Sequence, residues 1–172
     1  MDAVYSNIAH HNGSTLLLTS ILYTIQIYAD FAGYSLMAIG CGRLLGIELP
    51  ENFRRPYFAR TVTDFWRKWH ISLTTWFRDY IYFPLGGNRC SKARWAFNTI
   101  AVFTISGLWH GAAYTFVIWG AFHGMCMVVE RIAYGNRIKA ITNDINLTNT
   151  LRLLLTFTIV NFAWVFFRIT KL

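Results

Sequence analysis

Apolar positions fall into three long runs almost free of charge. Residues 3–29 contain no Asp, Glu, Lys or Arg, and Asp30 is the only charge before Arg43. Residues 96–129 contain none, and residues 153–167 contain none between Arg152 and Arg168. A membrane-spanning helix needs roughly 20 apolar residues. The first two runs meet that length, and snorkelling arginines extend the third to the interface. The pattern predicts transmembrane segments over 14–47, 95–130 and 151–168. In the first, a helix over 14–29 is followed by a second apolar stretch over 33–45. Asp30 lies between them, a place where an acid usually faces a bundle interior or a polar cavity. Gly33 and Gly40 permit either close helix contact or a break.

Between the first two runs the pattern changes. Leu49-Pro50-Glu51-Asn52-Phe53 and Arg54-Arg55-Pro56 read as irregular chain. Apolar residues then recur at 62, 65, 66, 69, 73, 76, 77 and 80. This is the one-sided spacing of a single amphipathic helix over 62–80, lying in the interface or re-entrant. Thr61 and Asp64 form a capping-box match at its start, and Asp64 with Lys68 is a favourable i, i+4 pair. Pro84, Gly86 and Gly87 end it. As one helix, residues 96–129 would extend about 51 Å, against a hydrocarbon core about 30 Å thick. A break or hairpin is expected at Gly107 and Gly111, and Gly120 with Gly124 suits tight helix packing. Residues 131–149 read as a polar loop.

Composition supports a membrane protein. Of the 172 residues, 55% are hydrophobic and only 14% charged, where about 25% charged is usual in soluble domains. The net charge is +8, and ten of the sixteen Lys and Arg lie between Arg43 and Arg94. In a membrane chain this is better explained by the positive-inside rule than by nucleic-acid binding, so residues 48–94 are read as a basic cytoplasmic or re-entrant segment. If residues 131–152 are cytoplasmic as well, residues 96–129 form a hairpin with His110 near its turn. The start lacks the basic region of a cleavable signal peptide.

Two histidines stand out. His110 lies in mid-run, within Ser106-Gly107-Leu108-Trp109-His110-Gly111-Ala112. An imidazole there needs a structural partner or a chemical role. His70 lies in Trp66-Arg67-Lys68-Trp69-His70-Ile71-Ser72-Leu73. The two are either unrelated, one packed and one interfacial, or they meet in one cavity, where a neutral His110 can act as a general base. His123 reads as a satisfied packing histidine. No pair of histidines has ligand spacing and the three cysteines are not metal-spaced, so no metal site is expected. A triad of Ser72, His110 and Asp30 lacks the Gly-x-Ser-x-Gly elbow.

The ordered series of short motifs resembles the membrane-bound O-acyltransferase family, in the branch that acylates bacterial surface polymers. The matching residues are Asp30-Phe31-Ala32-Gly33-Tyr34-Ser35, Leu44-Leu45-Gly46, Pro50-Glu51-Asn52-Phe53, Phe65 through Leu73, Trp76-Phe77-Arg78-Asp79-Tyr80, Pro84 through Arg89, Ser106 through Ala112 and Trp119 through Gly124. The resemblance implies an all-α polytopic membrane protein with tilted helices around a tunnel. It implies that His110 is catalytic and that His70 is a second residue needed for activity. It also implies a thioester donor, acyl-CoA or an acyl-carrier protein, from the cytoplasmic side, with no bound cofactor. The acceptor would be a hydroxyl of an exported polysaccharide, and an extracytoplasmic partner protein would complete the transfer. Where many relatives carry an acid, this chain has Leu36. Family members are longer, so residues 1–172 read as one partial domain of that kind.

The resulting expectation is a bacterial inner-membrane enzyme, embedded in lipid, that transfers an acyl group, acetyl by preference. His110 would deprotonate the acceptor hydroxyl, and His70 would orient the donor or polarise the developing oxyanion. Asn52, Arg78 and Asp79 would build the donor entrance, Trp109 would line the tunnel, and Asp30 would face a polar interior. The rivals are a transporter relaying protons through His110 and Asp30, and an inactive truncated assembly subunit.

Overall fold

The computed structural model describes residues 2–5, 7–135 and 144–168. The chain divides into two units, Met1–Glu51 and Asn52–Leu172. The described residues form helices and turns, with no strand among them. Among the described residues, three helices are long and apolar enough to cross a membrane: Gly13–Leu44, Tyr114–Tyr134 and Leu147–Arg168.

The first unit holds α1 (Asp2–Tyr5), a 3-10 turn at Ile8–His10 and α2 (Gly13–Leu44). Asn12 starts α2. Its Oδ1 accepts from the Thr15 amide at 2.9 Å and from the hydroxyls of Ser14 and Thr15, taking up donors that a helix start leaves unpaired. The hydroxyls of Thr19, Ser20 and Thr24 bond back to carbonyls of their own helix, which satisfies polar groups in an apolar segment. Leu17, Leu18, Leu22, Ile25, Leu36 and Met37 point outward, as lipid-facing side chains do. The helix runs unbroken through Asp30 and Gly33, so there is no interruption between the two apolar stretches. A Cβ on Gly33 or Gly40 would meet nothing within 4 Å, so no close contact demands glycine there. A single glycine costs a helix only about 1 kcal/mol, too little to break one of this length. Gly46, at φ 74°, ends the helix: Ile47 N–H reaches the Gly42 carbonyl at 2.8 Å across the left-handed turn.

The second unit begins with irregular chain and a 3-10 turn, Pro56–Phe58. It continues with α3 (Val62–Lys68), α4 (Ile71–Phe77), a π-helical turn Arg78–Tyr82, α5 (Lys92–His110), α6 (Tyr114–Tyr134) and α7 (Leu147–Arg168). The helix predicted over 62–80 is therefore two helices broken at residues 69–70. The reason is a tertiary partner. Lys68 carbonyl accepts from Arg54 N–H, and Ile71 N–H donates to the Asn52 carbonyl, each at 3.0 Å. The irregular segment thus replaces the helical bonds lost at the break. The apolar periodicity survives because α3 and α4 both contribute to the same interior.

Helices α5 and α6 form a hairpin turning at residues 111–113. Glycines bring them close. A Cβ on Gly107 would lie 2.1 Å from the Phe116 carbonyl oxygen, and one on Gly120 would lie 2.1 Å from that of Phe103. Gly124 would collide with Ile100 Cα at 2.9 Å. At the turn, a Cβ on Gly111 would lie 2.6 Å from the Phe116 ring.

Thr61 caps α3 by accepting from Asp64 N–H at 2.9 Å, and Asp64 pairs with Lys68 at 2.6 Å. Glu130, near the end of α6, also holds this helix start. Its carboxylate accepts from the amides of Val62 and Thr63 and from the Thr63 hydroxyl. The core is aromatic. Trp164 of α7 stacks on Trp119 of α6 at 5.6 Å and packs against Trp69 at 5.1 Å, and Trp69 stacks on Phe65 at 5.4 Å. Part of the expected polar loop over 131–149 is helical, since α6 runs to Tyr134 and α7 starts at Leu147; residues 136–143 lie outside the described residues.

Candidate active site

A cavity of about 360 Å³ opens between α3, α4, α5 and the end of α6, and both His70 and His110 line it. Helix α5 supplies one wall. Thr99, Val102, Phe103, Ser106 and His110 share a face, because residues three or four apart recur on one side of a helix. From Trp95 to His110, both on this wall, the helix rises about 22 Å. The facing wall carries Trp66, Trp69, His70, Leu73 and Phe77.

His110 is the last residue of α5, so it projects from the end of a rigid element rather than from a loop. Rings hold it on several sides: Trp109 at 5.0 Å, and Trp119 and Phe167 edge-on at 5.3 Å and 5.1 Å. His70 occupies the break between α3 and α4 in a left-handed conformation, φ 44° and ψ 56°. Burial lowers its pKa from the ordinary 6.5 to about 4, and the nearby His110 adds to the effect. His70 is accordingly neutral near pH 7, with one ring N–H to donate and one nitrogen to accept.

Helices α5 and α6 are antiparallel, so the end of α6 meets the start of α5. There Arg131, Arg78, Tyr82 and Asn88 line the cavity with Trp95, and Arg67 also reaches its wall. Tyr82 Oη donates to Asn88 Oδ1 at 2.7 Å. Arg78 grips Asp79 through two bonds, 2.7 Å and 3.1 Å. One end of the cavity is therefore cationic and the other carries the imidazoles.

Of the residues singled out in the sequence, His70, His110 and Arg78 share this cavity. Asp79 reaches it only through Arg78. Trp109 lies beside both histidines, 6.4 Å from the His70 ring and 5.0 Å from that of His110, and is itself 59% exposed. Asn52 caps α4 instead of lining the cavity: its Oδ1 accepts from Ser72 N–H at 3.1 Å and Ser72 Oγ at 2.6 Å. Asp30 belongs to the first unit and is exposed on α2. His123 is packed as expected, fully buried among Phe65, Trp66, Trp119 and Phe122. It is not satisfied, however: neither ring nitrogen has a hydrogen-bond partner among the described residues. Among those residues no cluster of three or more His, Cys, Asp and Glu is arranged to hold a metal ion.

Sequence reasoning missed Ser106, Arg67 and Arg131 as lining residues and Glu130 as an anchor. Ser106 had a signal, since it lies one turn before His110 on the same helix face. Arg131 had one only once α5 and α6 are paired, because antiparallel pairing is what brings it beside Trp95.

The described residues thus combine three helices long and apolar enough to cross a membrane with two histidines on one cavity. The membrane-bound O-acyltransferase family model matches residues 2–170, and the chain belongs to that family. It is 45% identical to a probable alginate O-acetylase of Pseudomonas aeruginosa over 90% of this chain and 29% of that protein. It is 46% identical to a peptidoglycan O-acetyltransferase of Helicobacter pylori over 90% of this chain and 29% of that protein. It is 36% identical to a teichoic acid D-alanyltransferase of Bacillus subtilis over 70% of this chain and 32% of that protein. The chain thus spans about 30% of the length of the curated relatives it matches.

Proposed function

We propose that the chain carries the acyl-transfer centre of a membrane O-acyltransferase acting on an exported cell-surface polysaccharide. The observation that carries this reading is the convergence of His70 and His110 on one cavity with a cationic far end. A thioester donor, acyl-CoA or an acyl-carrier protein, extends from the arginines toward the imidazoles. Anionic phosphates favour the cationic end, and the thioester arm lies along the face of α5 toward His110. His110 removes the proton of an acceptor hydroxyl as its oxygen attacks the thioester carbonyl. The His70 N–H donates to the oxyanion that develops. Collapse breaks the carbon–sulfur bond, and the departing thiolate takes the proton held by His110. The acyl group is acetyl by preference, as in the names of the alginate and peptidoglycan relatives. The setting is the bacterial inner membrane, with a partner protein outside receiving or positioning the polymer.

The test is release of free CoA from acetyl-CoA by membranes holding the intact enzyme, with and without polymer. Polymer-dependent release is expected. Solute flux into proteoliposomes with no thioester consumed would favour a transporter instead.

A further inference from the structure

We infer that Asn52 is a positioning residue that holds His70 in the cavity by capping the start of the helix that follows it. The inference rests on the proposed role of the two histidines.

His70 stands at the residue before α4, the position whose side chain normally caps a helix. It makes no side-chain cap bond, and histidine is not among the favoured caps. Its backbone is left-handed, a conformation that disfavours residues with a Cβ. Something else has to hold the turn and satisfy the start of α4. Asn52 does both. Its carbonyl takes Ile71 N–H at 3.0 Å, and its Oδ1 takes Ser72 N–H and Ser72 Oγ at 3.1 Å and 2.6 Å. Two residues on, Arg54 N–H reaches the Lys68 carbonyl at 3.0 Å, and Phe53 packs edge-on against Trp69 at 5.0 Å. The chain on both sides of His70 is thereby clamped to one short segment. The imidazole lines the cavity that His110 also lines. Asn52 does not line that cavity, so it acts through His70 and not on substrate.

Polymer-dependent CoA release from acetyl-CoA by the intact enzyme in membranes, normalised to folded protein, tests this. Asn52→Ala removes the Oδ1 acceptor and leaves the backbone bond. It is expected to lower kcat about 10-fold or more, since misplacing a reacting group by 1 Å can cost about 10²-fold. KM for acetyl-CoA should stay within about 2-fold, because only interactions confined to the transition state are lost. Asn52→Asp keeps an acceptor oxygen for Ser72 and should restore most of kcat. A raised KM with unchanged kcat would mean that Asn52 contacts the donor and would overturn the inference. So would unchanged kcat per folded molecule. If Asn52→Ala does not fold, Ser72→Ala decides: it drops one bond to Asn52 and should lower kcat about 2- to 5-fold, being worth a fraction of a typical cap. Unchanged kcat in Ser72→Ala would overturn the inference. His70→Ala and His110→Ala run alongside. Full activity in both, or no polymer-dependent release by the wild type, would instead overturn the reading on which this one rests.

Discussion

Replacing Gly120 by alanine perturbs one of the two closest glycine contacts described between α5 and α6. A Cβ there would lie 2.1 Å from the Phe103 carbonyl oxygen and 3.2 Å from the Gly107 amide nitrogen. Both are backbone atoms of α5, so no side chain can swing aside. Van der Waals contact requires α5 and α6 to separate by about 1 Å, and close-packed helices lose contacts steeply over such a gap. Overpacking of this kind typically costs about 1–3 kcal/mol. The separation also reaches the site, because Trp119, the neighbour of Gly120, lies edge-on to the His110 ring at 5.3 Å. Gly120→Ala should therefore lower the thermal midpoint of the detergent-solubilised protein and reduce acyl transfer per folded molecule. Gly40→Ala is the control: its Cβ would meet nothing within 4 Å, and alanine is the better helix former by about 1 kcal/mol. A Gly120→Ala protein as stable and as active as Gly40→Ala would refute the reasoning.

Glu130→Ala removes the carboxylate that accepts two amides and a hydroxyl at the start of α3. Hydrogen bonds to a charged group are worth about 1.5–3 kcal/mol, so the midpoint should fall on that scale, with Glu130→Gln losing less. The depressed His70 pKa gives a signed pH effect. Between pH 6.5 and about 4, an unfolded His70 binds a proton that the folded one refuses. Its contribution to stability is therefore full above pH 6.5 and is lost as pH falls toward 4. Thermal midpoints across this range should fall less steeply in His70→Gln; an identical slope would count against burial of the ring. Charge reversal of two arginines that line the cavity, Arg131→Glu with Arg67→Glu, should raise KM for acetyl-CoA about 10-fold or more at low salt, with a smaller effect at high salt. An unchanged KM would count against a donor lying along that wall.

Much of the helical architecture was legible because its causes are local. Uncharged runs marked α2, α6 and α7, Thr61 and Asp64 marked the start of α3, and the spaced glycines marked the α5–α6 contact. The break at His70 was not legible. Apolar residues at helical spacing look the same in one helix and in two that face the same interior, and what breaks the helix is Asn52, 20 residues before Ser72. The unbroken α2 was misread for the opposite reason: Asp30 and Gly33 weaken a helix locally without ending it. Glu130 escaped notice because its partners lie 67 and 68 residues away. A conventional place in sequence did not reveal Arg131 either, since its position depends on how α5 and α6 pair.

The role of His110 as the general base is tested most directly by His110→Ala in the intact enzyme. Polymer-dependent release of CoA from acetyl-CoA should fall by at least about 10²-fold, the contribution of a well-placed base, while the amount inserted in the membrane stays unchanged. Undiminished release by a normally inserted His110→Ala protein would contradict it.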